Sequence, residues 1–84
     1  PLRFLTQLVY LDVSDNQIKG VSPLRFLTQL TYLDVSNNKV RTIWSLLKID
    51  KLRGVDLRGN PLKRNPADRV IGQLQDRGVE VVFD

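Results

Sequence analysis

The chain has 84 residues, the length of one small domain, with 13 basic and 9 acidic side chains and a net charge of +4. Cysteine and histidine are absent, which excludes disulfides and thiolate metal sites and removes the commonest general base. No apolar stretch is long enough to cross a bilayer, and the absence of methionine at position 1 predicts a trimmed product or an excised piece.

The octapeptide PLRFLTQL occurs twice, and each copy begins a block of 22 residues. A third block has diverged but keeps its apolar residues at the same phase. Such a period indicates stacked repeats, because one block is too small to bury its own apolar face and must share a core with its neighbours. The in-phase apolar positions are Leu2, Leu24 and Leu46; Leu5, Leu27 and Ile49; Leu8, Leu30 and Leu52; Leu11, Leu33 and Val55; Val13, Val35 and Leu57; and Ile18, Val40 and Leu62.

Each block contains a short alternation of apolar and polar residues, which is typical of a β-strand. The alternation covers residues 11–13, 33–35 and 55–57. Blocks that stack in one direction place these strands side by side and parallel, about 4.8 Å apart. The repeat therefore predicts a parallel sheet in which equivalent residues of the three blocks form columns.

An asparagine follows each predicted strand at a constant distance, at Asn16, Asn38 and Asn60. The chain must turn sharply there, and an inward amide can both donate to and accept from the backbone of the turn. We therefore predict a structural ladder of asparagine amides rather than a ligand site.

The segments LVYLDVSDNQI, LTYLDVSNNKV and LRGVDLRGNPL resemble the leucine-rich-repeat segment L-x-x-L-x-L-x-x-N-x-L. The 22-residue period is similar to the internalin type of bacterial repeat, and also to the short repeats of a phosphatase-regulatory subunit. The resemblance covers residues 1–66 and implies an α/β solenoid, a right-handed horseshoe segment with a parallel sheet on its concave face and short helical turns on its convex face. It also implies a protein partner and an extracellular or bacterial-surface location, with a cytoplasmic one left open.

Residues 65–84 break the repeat and predict a helix that closes the solenoid. Asn65 and Pro66 favour a helix start, and the apolar residues that follow recur at helical spacing on one face. Gly78 is a suitable helix stop. The buried face is predicted to consist of Ala67, Val70, Ile71 and Leu74.

A final strand is predicted over residues 79–83, VEVVF. We expect Val79 and Val81 to occupy the places that Val55 and Leu57 hold in the third block. This strand would continue the parallel sheet through a right-handed crossover. The predicted organisation is one leucine-rich-repeat domain over residues 1–84, with repeats at 1–22, 23–44 and 45–66 and a C-terminal cap at 65–84.

Residues between the inward positions of each strand are expected on the concave face. Tyr10 and Tyr32 are the strongest candidates for contacting a partner, because tyrosine offers a large rigid ring and a hydroxyl at low entropic cost. They can equally just stack on each other along the sheet. The predicted partner-binding residues are Tyr10, Asp12, Ser14, Tyr32, Asp34, Ser36, Asp56 and Arg58.

The aspartate column, Asp12, Asp34 and Asp56, places carboxylates on neighbouring strands, where they would repel one another. The column can be a solvated polar face, or it can accept a lysine or arginine from a partner. No metal site is predicted there, because hard cations require a cage of six or more oxygens.

Lys19, Arg41 and Lys63 also recur in phase. They follow the asparagine turns, and we name them the basic rim. The rim can serve solubility alone, or it can attract an acidic partner or phosphate. Aromatic residues do not interleave with these charges, which argues against nucleic acid as the partner.

Three aromatic residues of the repeats lie outside these sets. Phe4 and Phe26 are expected on the convex side, where neighbouring apolar rings would form an adhesive patch. Trp44 is expected to be half buried, with its ring packed in the core or against the cap.

No enzyme is predicted and no catalytic residue or cofactor is expected, because histidine, cysteine, a phosphate-cradling glycine loop and an evident carboxylate pair are all missing. The leading hypothesis is a protein-interaction module that binds through the concave sheet. The alternative is a structural piece without a ligand, either the C-terminal part of a longer solenoid or a duplicated or designed repeat. The uncapped first block further predicts fraying or self-association through the N-terminal edge.

Overall fold

A computed structural model describes residues 8–84, and its strands and helices alternate in the order that the 22-residue period predicts. Four strands form one parallel sheet in the order β1-β2-β3-β4. Short 3₁₀ helices separate the first three strands, and one α-helix precedes the last, so the predicted solenoid is confirmed. The strands are Tyr10–Asp12 (β1), Tyr32–Asp34 (β2), Gly54–Asp56 (β3) and Glu80–Val82 (β4), the 3₁₀ helices Ser22–Phe26 and Trp44–Lys48, and the α-helix Arg64–Asp76 (α1).

The first three strands pair in the predicted register, with Tyr10 opposite Tyr32 and Tyr32 opposite Gly54. Each of these three strands begins one residue earlier than the alternation of apolar and polar residues predicted. The reason is that hydrogen bonds between repeats already start before the alternation. The carbonyl of Val9 accepts from the amides of Thr31 and Tyr32 at 2.8 and 3.2 Å.

The core lies between the sheet and the helices, and the in-phase aliphatic residues of the second and third repeats fill it. Leu33, Val35 and Val55 are fully buried, and burial of one such side chain contributes about 1.5–3 kcal/mol. The equivalent Leu11 and Val13 of the first repeat are only partly buried. Leu2, Phe4 and Leu5 lie outside the described residues. The aliphatic residues buried in repeats two and three are Leu27, Leu30, Leu33, Val35, Val40, Ile43, Leu46, Ile49, Leu52, Val55 and Leu57.

Each of the first three strands leaves the sheet through a turn that contains one left-handed residue. In the first two turns the amide of that residue donates to a carbonyl of the next repeat, at 3.0 and 2.8 Å. In the third turn the amide of Gly59 donates instead to Oδ2 of Asp84 at 2.7 Å. A side-chain carboxylate therefore takes the place of the next repeat's carbonyl. The left-handed residues are Asp15, Asn37 and Gly59, with φ of 59°, 57° and 73°.

Helix α1 begins at Arg64, directly after Lys63, so the prediction that Asn65 caps it is wrong. The extended segment before the helix ends at Lys63, whose amide is still bonded to the carbonyl of Arg41 in the preceding repeat at 2.8 Å. The helix can begin only after that bond. Pro66 consequently lies within the first turn. Backbone N–H groups have no partner inside the helix there, so proline is tolerated although it lacks one.

The end of α1 follows the prediction for Gly78, which adopts a left-handed φ of 86°. The amide of Gly78 donates to the carbonyl of Gln75 at 2.9 Å, and the amide of Val79 donates to the carbonyl of Leu74 at 3.0 Å. These two bonds form a Schellman motif. Leu74 and Val79 are both buried, so the motif directs the chain from the helix back into the core. The predicted buried face of α1 is likewise confirmed.

Strand β4 pairs in parallel with β3, but the register differs from the expected one. Val81 lies opposite Val55 rather than opposite Leu57. The expectation for Val79 and Val81 is thus wrong by two residues, because α1 and its exit turn use two residues more than the alignment allowed. Val79 lies before the strand and is buried where the chain leaves the helix.

Arg77 joins the cap to the third repeat. Its NH1 donates to the carbonyl of Leu47 at 3.0 Å, and its NH2 donates to the carbonyl of Ile49 at 2.9 Å. Both carbonyls lie at the end of the second 3₁₀ helix, where the last carbonyls have no partner inside the helix. The arginine satisfies them and holds α1 against that helix.

Candidate partner-binding site

The two tyrosines of the concave face form a stacked pair. The ring centroids of Tyr10 and Tyr32 are 5.0 Å apart, and the ring planes differ by 15°. The ring of Tyr32 also covers Gly54, since a Cβ atom there would lie only 2.9 Å from Cδ1 of Tyr32. Tyr10 remains 57% exposed, so the pair forms an aromatic platform with one face supported by the sheet and the outer ring open.

The environment of Tyr32 is electrically negative. Burial of the ring, followed by the charges of Asp34 and Asp56, raises the pKa of Tyr32 above its ordinary value. The hydroxyl therefore stays protonated throughout the physiological range and can act as donor and acceptor.

Each aspartate of the first two strands is held by hydrogen bonds from the serine that follows it by two residues. Oδ1 of Asp12 accepts from the amide and the hydroxyl of Ser14 at 2.9 and 2.7 Å. Asp34 accepts from Ser36 in the same way at 3.0 and 2.7 Å. The Ser14 hydroxyl lowers the pKa of Asp12. These bonds explain how adjacent carboxylates are accommodated on neighbouring strands.

An arginine replaces the serine in the third repeat. Oδ1 of Asp56 accepts from the amide and from Nε of Arg58, both at 3.1 Å, and Oδ2 accepts from NH2 at 2.8 Å. The Asp56 side chain is 7% exposed and that of Arg58 is 59% exposed. The hydrogen bond from Arg58 lowers the pKa of Asp56, although burial opposes that shift. The guanidinium of Arg58 is thus held in place by the buried Asp56 carboxylate, while most of the Arg58 side chain remains exposed to solvent.

Two of the predicted contact residues need correction, because Ser36 and Asp56 are buried. Both are occupied by the hydrogen bonds that close their strand ends, and they present almost no surface to a partner. The residues that do present surface are the exposed Tyr10, Asp12 and Arg58 and the half-buried Ser14, Tyr32 and Asp34.

Replacing Arg58 with serine, the residue at this phase in the other repeats, is expected to raise the pKa of Asp56. The folded pKa of Asp56 is depressed in the native chain, so its stabilising contribution is present above about pH 4 and is lost as pH falls through the folded value. The variant should be less stable at neutral pH, and its deficit should shrink on acidification. Carboxyl ¹³C titration and urea unfolding at several pH values measure both effects.

Arg53→Ser is the matched control, since Arg53 is an exposed cation of the same repeat that does not bond to Asp56. An unchanged Asp56 titration in Arg58→Ser, or an equal change in the control, would contradict the assignment.

The side-chain amides of the three asparagines all donate to backbone carbonyls, but they differ in whether those carbonyls belong to a neighbouring repeat. Nδ2 of Asn38 donates to the carbonyls of Val35 and Ser36 in its own repeat, at 2.9 and 3.2 Å, and to that of Val13 at 3.0 Å. Its Oδ1 accepts from the amide of Ile18 at 3.0 Å. The amide of Asn38 thus links the second repeat to the first.

Asn60 repeats this pattern toward the second repeat, with bonds to the carbonyl of Val35 and the amide of Val40, both at 3.0 Å. Asn16 is exposed and bonds to two carbonyls of its own turn, those of Val13 and Ser14, at 2.9 and 3.0 Å. Asn16 is thus exposed and bonds to its own turn, Asn60 is half-buried, and Asn38 is buried.

The basic rim lies beyond these turns, and Lys19, Arg41 and Lys63 are all exposed. Backbone bonds fix the segments that carry them. The amide of Lys39 donates to the carbonyl of Ile18 at 2.8 Å, as the amide of Lys63 does to that of Arg41. The rim residues therefore occupy successive levels of one solenoid.

The convex aromatic residues differ in part from expectation. Trp44 is 56% exposed, so the expectation of a half-buried ring in the core or on the cap is wrong. Trp44 shares its phase with Ser22 and begins a 3₁₀ helix on the surface, and this position decides its exposure. Phe26 is exposed as expected, with the guanidinium of Arg25 lying 4.4 Å from its ring centroid, whereas Phe4 lies outside the described residues.

Over residues 8–84 the surface contains no enclosed pocket, and no group of three acidic residues is placed to hold a metal ion. None of the helices in that range has the length and apolar composition needed to cross a bilayer. The candidate site is accordingly an open face rather than a cavity.

Comparison with known proteins is consistent with this architecture. The family described as Leucine Rich repeats (2 copies) matches residues 6–48, and the chain belongs to the leucine-rich-repeat family. Among solved structures, internalin C2 from Listeria monocytogenes is similar over 99% of this chain, with 29% sequence identity and a TM-score of 0.79. The chain spans 35% of the length of that internalin chain. No curated protein sequence matches.

These matches define an internalin-like repeat protein, and the resemblance drawn from the sequence is confirmed. Folds of this family are typically non-enzymatic scaffolds that mediate protein–protein interaction.

Proposed function

We propose that this chain binds a protein partner through the concave face of its sheet, with Tyr10 and Tyr32 as anchors. The observation that carries the proposal is the stacked pair, whose outer ring is 57% exposed on a rigid sheet. A large aromatic surface that is already ordered loses little entropy on binding, and such residues dominate binding energies at interfaces.

Residues around the pair give the surface a mixed character that suits a protein partner. Val9, directly before Tyr10 in the chain, is a further exposed apolar residue, at 52%. Arg58 presents a guanidinium that its bonds to Asp56 already orient, and ordered arginine is suited to bidentate contact with a partner's carboxylate. An apolar centre with charged residues around it resembles the organisation of a protein–protein interface.

A purely structural role is the second candidate, and the packing of Tyr32 on Gly54 favours it. In that case the tyrosines stabilise the sheet by about 0.2–1 kcal/mol through cross-strand stacking, and the concave face has no ligand.

Photo-crosslinking separates the two candidates. A benzophenone amino acid is introduced at Tyr10 and, as the matched control, at Trp44, whose exposure of 56% on the convex side is close to the 57% of Tyr10. A partner on the concave face gives one adduct of defined mass from position 10 and none from position 44. Adducts from both positions, or from neither, would contradict the proposal.

Tyr10→Ala and Tyr32→Ala then test the anchors with the captured partner in purified form. We expect each to weaken binding by about thirtyfold, the range of interface hot spots, while the free energy of unfolding changes by no more than the stacking contribution. Unchanged affinity with lowered stability would instead support the structural role.

A further inference from the structure

We propose that the basic rim, with the neighbouring Lys39, is a second interaction surface that binds a linear sulfated polysaccharide. Four exposed cations, Lys19, Lys39, Arg41 and Lys63, lie on three successive repeats. Of the 13 basic residues in the chain, these four follow the asparagine turns, whereas the acidic column of the strands lies on the concave face. The inference does not depend on the proposed concave site.

The cations of this surface are not neutralised by the protein itself. The ion pairs within residues 8–84 are those of Arg58 with Asp56 and of Arg64 with Asp68, and neither involves the rim. Arg64 lies next to the rim in sequence, but its charge is balanced by Asp68 and its guanidinium lies 5.8 Å from the Phe83 ring centroid. We therefore exclude it from the surface.

Backbone bonds set the spacing of the charges. The bond from Lys39 to Ile18 and the bond from Lys63 to Arg41, both 2.8 Å, hold consecutive levels together. Neighbouring levels of a parallel sheet are about 4.8 Å apart, so the rim presents a single file of positive charge. A flexible linear polymer with regularly spaced anionic groups can follow such a file.

The apolar residues beside the rim argue against a membrane and against a peptide. Val40 is fully buried, and Ile18 and Leu62 are partly buried against the core, so these apolar side chains offer little surface for insertion into lipid. Over residues 8–84 the surface also lacks an enclosed pocket for a peptide side chain.

Nucleic acid fits this surface less well than a polysaccharide does. Single-stranded nucleic acid is bound by stacking its bases on aromatic rings between the basic residues. Tyr10 and Tyr32 lie on the strands instead, and the face of Phe83 is approached by Arg64. Sulfated sugars require charge contacts without base stacking, and the rim supplies those.

The test measures binding of the full chain to a heparin dodecasaccharide at several salt concentrations. The rim variant carries Lys19→Gln, Arg41→Gln and Lys63→Gln, and the control carries Lys48→Gln, Lys51→Gln and Arg69→Gln, three exposed cations outside the rim. Both variants lose three charges. We expect the rim variant to bind at least about tenfold more weakly, with a salt slope lower by about 2–3, because each lost anion contact removes roughly one unit. The control should bind like the native chain.

Equal loss in both variants would show that only net charge matters and would overturn the proposal. Tighter rim-dependent binding of duplex DNA or of anionic vesicles than of heparin would overturn the assignment of the ligand. If the rim variant does not fold, amide shifts of the native chain decide. Heparin must move the signals of Lys19, Arg41 and Lys63 more than those of Lys48 and Lys51.

Discussion

Replacing Asn38 with alanine is expected to lower the free energy of unfolding by about 2–4 kcal/mol, because it leaves the amide of Ile18 without its partner and removes one of the hydrogen bonds accepted by each of three carbonyls. The amide of Asn38 is 4% exposed. It serves three carbonyls and the amide of Ile18, and the space it leaves is too enclosed for water to restore all four bonds. Urea unfolding followed by circular dichroism measures the loss.

Asn16→Ala is the control within the same chain. Asn16 occupies the same phase, but it is exposed and bonds to two carbonyls of its own turn. Water can replace those bonds, so the expected loss is under about 1 kcal/mol. Similar losses at both positions would show that the amide acts on its own turn alone and not between repeats.

The repeat predicted the shared interior well, because side chains at a fixed phase must face the same neighbours when identical blocks stack. Leu33 and Val35 are buried as their phase requires. The same rule explains the error at Trp44. The apolar character of the ring suggested burial, but the phase of Ser22 places that position on the surface, and phase is the better guide in a solenoid.

The chemistry of the concave face was only partly predictable. The period predicts the columns, but taken alone it leaves the aspartates as free carboxylates that repel one another. Aspartate two residues before serine is a signal for a local bond to the backbone, and Asp12 and Asp34 both make it. That signal was present and could have shown that Ser36 is not available to a partner.

The cap departs further from prediction because it lies outside the repeat. Nothing in the sequence fixes where Lys63 ends its extended segment or how many residues α1 and its turn require. The contacts of Arg77 with Leu47 and Ile49 link positions about thirty residues apart, and no periodic alignment relates them. Contacts between distant positions of a segment that does not repeat can be found only from the folded structure.

Replacing Leu74 with alanine is expected to lower the free energy of unfolding by about 2–5 kcal/mol, the usual cost of a cavity in a packed core. Leu74 is fully buried, and its carbonyl accepts the bond that ends α1. Gln75→Ala, an exposed change one residue further along, should alter stability by no more than about 0.5 kcal/mol. Thermal and urea unfolding of both variants provide the measurement.

The form of the Leu74→Ala transition also tests whether the repeats and the cap behave as the single domain that we propose. A solenoid is stabilised by contacts between neighbours, so a defect in the cap reaches the third repeat through their shared interface. Arg77 and the bond from Gly59 to Asp84 strengthen that interface. One cooperative transition, shifted to lower urea and reported equally by Trp44 fluorescence and by circular dichroism, is expected. If Trp44 fluorescence kept its native midpoint while helical signal was lost early, the cap would unfold independently of the repeats.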